Sequence, residues 1–193
     1  MTRLVAVLSL VCALAACAPT GPSRGTPQDV AALSRNLRAM SPAVDPAEAD
    51  RAAALSYRYT YQLAQQYQIT DPPLIHNAKV NAGRKPRGLC YHWATDMERL
   101  LNREGFKTLE IQRAIANAGN PILIEHSSAV ITARGAPMES GVIIDPWRQG
   151  GTLFWSPVLK DGRYDWKERG AELTRLGRVT YVNPDGTPSL QPQ

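Results

Sequence analysis

The sequence predicts an α+β fold built around an antiparallel sheet, and three observations lead there. Between residues 27 and 104 apolar positions recur at the three-to-four-residue spacing of helices. From residue 108 onward they come instead as short runs rich in Val, Ile and Thr, punctuated by Gly, Pro and Asn. The two kinds of segment are not interleaved, so nothing suggests the strand–helix–strand units of a parallel sheet. The chain has 193 residues, 44% of them hydrophobic and 20% charged, an ordinary globular composition. The formal net charge of +5 is too mild to imply nucleic acid as a partner.

The first residues, MTRLVAVLSLVCALAAC, set Arg3 before an apolar run. That run is shorter than the ~20 residues a helix needs to span a bilayer and reads as a secretory signal over residues 1–16. Its end, Leu14-Ala15-Ala16-Cys17, resembles the lipobox of bacterial lipoproteins. The resemblance implies cleavage before Cys17 and lipidation of that cysteine. The membrane would then be a partner through the lipid alone, without a transmembrane helix. It also implies a cell-envelope location, at the outer membrane facing the periplasm. Residues 17–26, rich in Pro, Gly, Ser and Thr, read as a flexible tether. Roughly 175 residues remain after cleavage, enough for one core, and a single domain is expected over 27–183 with a frayed tail over 184–193.

Within the domain, Val30, Leu33, Leu37 and Met40 predict a helix from Pro27. A second should start at Pro46, with Asp45 as cap and Glu48 at the capping-box position, and run to about Gln68. Asp71-Pro72-Pro73 reads as a break. The clearest helix spans Leu89 to Glu104, with Cys90, Trp93, Ala94, Met97 and Leu101 on one stripe and Asp96, Glu98, Arg99 and Arg103 facing away. Strands are expected over Thr108–Ala116, Ile122–Arg134, Gly141–Asp145, Thr152–Val158 and Tyr164–Trp166, and over Val179–Val182. Asp161-Gly162 reads as a turn.

Of three cysteines, Cys12 and Cys17 belong to the leader and its end, so Cys90 is the one free thiol of the mature chain. A cysteine in the first turn of a helix meets unpaired N–H groups and the positive end of the dipole, and both favour a thiolate. Lys79, Arg84, Lys85 and Arg87 precede it; they form either a solvated loop or a local positive field suited to an acidic substrate. His126 shares a strand face with Ile124, Ser128 and Val130. Asp145 ends an apolar strand, where an acid needs a partner. If the two strands form a hairpin, an even-length loop keeps Asp145 on the face of His126, and a four-residue loop sets it opposite Ser128. An odd loop turns it to the other face.

Cys90, His126 and Asp145 thus have the logic of a nucleophile, a base and its orienter. "GLCYHWATDMERLLNREGF", "EHSSAVI" and "IIDPW", in that order, resemble the cysteine helix, the histidine strand and the aspartate strand of the transglutaminase-like branch of papain-like proteins. The likeness covers Gly88 to Trp147. It implies acyl transfer from an amide or ester through a thioester, to water or to an amine. No cofactor and no metal is implied. Two features depart from the family pattern. Ser127-Ser128 follows the histidine where an aromatic is common, and no glutamine precedes the cysteine. Asn81 or the Cys90 N–H would then supply the oxyanion donor.

Arg84, Arg87 and Trp147 are further candidates for substrate binding. Location and charge point to an envelope protein or a peptidoglycan peptide as substrate. The competing readings are a non-catalytic envelope lipoprotein that uses the fold for binding or assembly, and a metal site at Cys90, His92 and His126. The second is disfavoured because Cys90 and His92 diverge on a helix.

Overall fold

A computed structural model describes residues 21–179, 181–182 and 188–189. The expected leader, Cys17, and the expected tail apart from Pro188–Ser189 lie outside the described residues. No helix among the described residues is long and apolar enough to cross a membrane.

Helix α1 (Pro27–Arg38) opens on a complete capping box between Thr26 and Asp29. Helix α2 (Pro46–Gln66) is capped by Asp45, whose side chain accepts from the N–H groups of Ala47 and Glu48. Its buried face is mostly small: Ala49, Ala52, Ala53, Ser56, Thr60 and Ala64 let α1 and the later cysteine helix approach closely. Glu48 does not complete a capping box. Its carboxylate accepts instead from the N–H groups of Lys107 and Thr108, at 2.6 and 2.7 Å, and from the Thr108 hydroxyl. Burial pushes its pKa up, but the bonds from Thr108 and Lys107 outweigh this and bring it to about 2.

Asp71-Pro72-Pro73 lies at the expected break after α2 and also opens the next helix. Pro73 is the first residue of α3 (Pro73–Asn81), where a missing N–H costs nothing. Helix α4 (Cys90–Asn102) follows and buries Trp93, Ala94, Met97 and Leu101 as its spacing predicts. Each large side chain on that stripe contributes about 2 kcal/mol of burial. Asp96, expected to face away, is buried; it accepts from the Tyr67 hydroxyl at 2.5 Å, from Arg87 at 3.0 Å and from Arg99 at 3.1 Å.

The second half forms β1 (Leu109–Ala116), β2 (His126–Ala133), β3 (Val142–Asp145), β4 (Phe154–Pro157) and β5 (Lys167–Glu168), followed by α5 (Arg169–Arg175). They make one five-stranded sheet in the order β4-β3-β2-β1-β5, antiparallel at every pairing. Beyond it, β6 (Tyr181–Val182) pairs with β7 (Pro188–Ser189). The fold is therefore α+β, with α1, α2 and α4 packed on one face of an antiparallel sheet. Ala129, Ile131 and Ile144 face α1, α2 and α4 in the main core. Val130, Ile143, Met138, Val158 and Trp166 form a second core on the opposite face.

Three expectations need correcting. Strand β2 begins at His126, not Ile122, and Ile122, Leu123 and Ile124 are exposed. Sheet pairing occurs at Lys167–Glu168, just past the expected Tyr164–Trp166, because Trp166 turns into the second core. Residues 21–26, expected within the tether, lie against the domain. Ser23 N–H donates to the Thr152 hydroxyl at 3.2 Å, and the Arg24 guanidinium stacks 4.4 Å from the Tyr61 ring centroid.

One glycine sets the entry to α4. Gly88 has φ +128°, and a Cβ there would meet the His76 ring at 2.4 Å. Its carbonyl accepts from the Trp93 indole at 3.1 Å. Gly88→Ala is expected to cost about 2–4 kcal/mol, combining positive-φ strain with overpacking. Urea unfolding with an unchanged m-value checks this.

Candidate active site

Cys90 is the first residue of α4, and Leu89 at the cap has no side-chain acceptor. The capping comes from inside the helix: His92 Nδ1 accepts from the N–H groups of Gly88 and Leu89, both at 3.3 Å. Burial, with help from Arg87, holds the His92 pKa below its ordinary value, which keeps that nitrogen an acceptor. The helix end therefore stays fixed, while no side chain caps the first turn around the sulfur. Among the described residues no group of three or more His, Cys, Asp or Glu side chains is placed to hold a metal.

Cys90 meets the sheet at its end rather than across its face. Its thiol donates to the Glu125 carbonyl at 3.7 Å, immediately before His126. His126 is 1% exposed and donates from Nε2 to Asp145 Oδ2 at 2.7 Å, and Asp145 is equally buried. The register explains the contact. Ala129 pairs with Ile144 and Val130 with Ile143, so the ladder continued one step sets Asp145 opposite Ser128. That is the face of His126 and the placement an even loop predicts. The Ser128 hydroxyl donates to the Ile144 carbonyl at 2.8 Å and pins the two strands there.

With Nε2 committed to Asp145, Nδ1 is the ring nitrogen left free; it is buried and makes no hydrogen bond. Burial pushes the His126 pKa down. The Asp145 carboxylate and, more weakly, the Cys90 sulfur outweigh it and raise the value from 6.5 to about 9. The ring is thus an imidazolium at neutral pH. A folded-state pKa above the unfolded one adds stability that is complete below pH 6.5 and disappears as pH climbs through about 9. About 3 kcal/mol should be lost across that window. Unfolding midpoints measured from pH 6 to 10 would show the decline, and His126→Gln should flatten it.

The rest of the site lies behind and around the imidazole. Trp147, Tyr164 and Trp166 surround the ring, with centroids 4.7, 4.8 and 5.3 Å from it. Arg148 donates from Nε to Asp145 Oδ2 at 3.0 Å and from its backbone N–H to Oδ1 at 3.2 Å. The other end of its guanidinium binds both oxygens of Asp161, at 3.0 and 2.6 Å, and Asp161 also accepts from the Trp166 indole at 2.9 Å. Asp145, Arg148, Asp161 and Trp166 thus form a polar chain that closes back on the His126 ring. Of the last three, Asp161 reads as a turn residue and Trp166 as a core tryptophan that could also line a cleft, and nothing in the sequence marks Arg148 as part of a site beyond its i,i+3 spacing from Asp145.

The expected substrate-binding residues fare unevenly. Trp147 borders the site, and its indole donates to Asn77 Oδ1 at 3.1 Å. Arg87 is a brace: its guanidinium is taken by buried Asp96 and lies over the Tyr67 ring. Arg84 is exposed and outside the cleft beside His126. The charge of Lys79 is offset by its pairing with Asp71, and Lys85 donates to the Gln68 carbonyl. Asn81 is exposed at the C-terminal end of α3 and bonds to none of Cys90, His126 and Asp145. It is Asn77, one turn earlier, that reaches the site, through Trp147. His76 is buried in α3 with Nε2 on the Arg87 carbonyl at 2.8 Å.

Comparison with protein-family models, curated proteins and solved structures returns no match for this chain.

Proposed function

We propose that this protein is a thiol acyltransferase or amidase of the transglutaminase-like kind, working through Cys90, His126 and Asp145. The observation that carries the reading is the buried 2.7 Å bond from His126 Nε2 to Asp145, with Nδ1 left buried and unpaired and with Cys90, at a helix N-terminus, bonded to the carbonyl of Glu125 just before that histidine. Few structural roles need a buried imidazolium aimed this way.

In the proposed reaction the Cys90 sulfur attacks the acyl carbon of an amide, forming a C–S bond and an oxyanion held by the Cys90 N–H. The C–N bond breaks as the imidazolium gives its Nδ1 proton to the departing amine. Water or an amine then attacks the thioester, returns a proton to His126, and the C–S bond breaks. Asp145 keeps the imidazole oriented through both steps and is not itself protonated. Because the acid form of His126 is needed for the first step, amide turnover should fall as pH passes about 9.

The lipobox-like LAAC sequence supports an envelope lipoprotein acting on an envelope protein or a peptidoglycan peptide. The test compares wild type with Cys90→Ala on peptidoglycan fragments and on labelled amines. Turnover or amine incorporation is expected only from the wild type. Equal signals from both, with slow and pH-independent alkylation of Cys90, would leave a non-catalytic binding module.

A further inference from the structure

Beside His126 the surface opens into a cleft of about 650 Å³. His126 and Trp147 are in its wall and Cys90 is not. That placement decides which part of a substrate belongs there. The sulfur bonds the acyl carbon, whereas the imidazole gives its proton to the departing nitrogen and takes one from the incoming acceptor. A cleft bordered by the imidazole alone lies on the leaving-group and acceptor side.

The cleft is apolar in a way folding does not require. Leu74 from α3 is 56% exposed, and Ile122, Leu123 and Ile124 are 88, 54 and 57% exposed. The backbone carrying these three is held in place. Asn120 Oδ1 accepts from the N–H groups of Ile122 and Leu123, at 2.8 and 2.9 Å, and Asn117 donates to the Ile124 carbonyl at 3.1 Å. Side-chain hydrogen bonds thus fix a segment that presents aliphatic groups to solvent, the usual mark of a binding surface.

The charge of the cleft is also one-sided. Arg148 is compensated by Asp145 and Asp161. Arg163, also in the wall, has no carboxylate partner among the described residues and lies 5.5 Å from the Tyr164 ring centroid. No carboxylate lines the cleft.

We infer that this cleft is the leaving-group and acceptor subsite, and that it takes an amine bearing a large aliphatic side chain and a free carboxylate. An aliphatic amino acid, or a short peptide ending in one, has that chemistry. The inference rests on the proposed acyl transfer, and the experiment separates the two.

Para-nitrophenyl acetate acylates a reactive thiol and releases nitrophenolate; a burst absent from Cys90→Ala reports the nucleophile alone. Leucine, leucinamide and aspartate are then added as competing acceptors, and the N-acetyl products are quantified. The leucine product should exceed the aspartate product by about tenfold or more. Leu123→Asp should bring that ratio close to one, and Arg163→Gln should lower the leucine-to-leucinamide ratio about threefold. Ratios taken within one variant do not depend on how much active thiol it contains.

A burst with flat ratios overturns the inference and leaves the proposed function standing. Absence of a burst overturns the proposed function. The subsite is then judged on Cys90→Ala by tryptophan fluorescence: leucyl-leucine should bind about tenfold tighter than aspartyl-aspartate, and equal binding overturns it. Flat ratios together with vesicle association that Leu123→Asp abolishes would assign the apolar rim to a lipid surface instead.

Discussion

Asp145→Asn should reduce acyl transfer at neutral pH by roughly a thousandfold or more while leaving the protein folded. The effect follows from how many donors the carboxylate serves. Oδ2 accepts from both His126 Nε2 and Arg148 Nε, and Oδ1 accepts from the Arg148 backbone N–H. An amide has one acceptor oxygen, so its NH₂ group must confront either the two donors now on Oδ2, from His126 and Arg148, or the Arg148 backbone N–H now on Oδ1. If it faces His126, Nε2 becomes the acceptor and the lone proton moves to Nδ1. The ring can then no longer take a proton on the side of the sulfur. If it faces the Arg148 backbone N–H, the tautomer survives but the negative charge behind the ring is gone. In both cases burial, which pushes the His126 pKa down, loses its main opponent. The pKa should fall from about 9 to below 6.5, read by NMR titration of the imidazole. Activity lost with the titration unmoved would mean that the carboxylate acts by placement alone.

Much of this site was legible because it rests on short-range rules. A cysteine following Gly-Leu at the head of an amphipathic stripe is a helix N-terminus by spacing. The parity of a strand decides which of its residues share a face, so the sequence restricts Asp145 to two placements and the even register of β2 and β3 selects the one beside His126. What escaped depends on partners far along the chain. Residues Pro73–Asn81 show little apolar periodicity, and of their side chains only His76 is buried, so the helix is held by its surroundings. Asp96 is a polar residue on the outer side of a clear stripe. It is buried because Tyr67 and Arg87 bring donors to it, from residues that helical spacing cannot relate. Ile122–Ile124 has the composition of a buried strand, yet the ladder of β1 and β2 ends at the pair Ala116 and His126. Composition reports what a segment is able to bury, and pairing decides what it does bury.

The guanidinium of Arg148 is the clearest instance of that dependence, and removing it should give the largest loss of stability. Its side chain is 8% exposed, with Asp145 at one end and Asp161 at the other. Phe154 and Tyr164 stack against it with centroids at 3.9 and 4.8 Å. Arg148→Met keeps length and apolar contact but leaves two buried carboxylates with fewer donors and without the cation between them. Asp145 keeps His126 and a backbone N–H; Asp161 keeps the Trp166 indole and the Arg163 N–H. Breaking a buried pair in this way costs about 3–5 kcal/mol, well beyond the loss of one surface ion pair. The deficit should depend on pH in a definite sense. Burial pushes the Asp161 pKa up, and the bonds from Arg148 and Trp166 bring it below 3.8, so its contribution is present above that value and fades as pH falls further. Wild type and variant should therefore differ most near neutrality and converge in acid, where a protonated Asp161 no longer needs the cation. A deficit independent of pH would show that Arg148 acts through packing on Phe154 and Tyr164, and that the charge behind Asp145 contributes little to holding the triad.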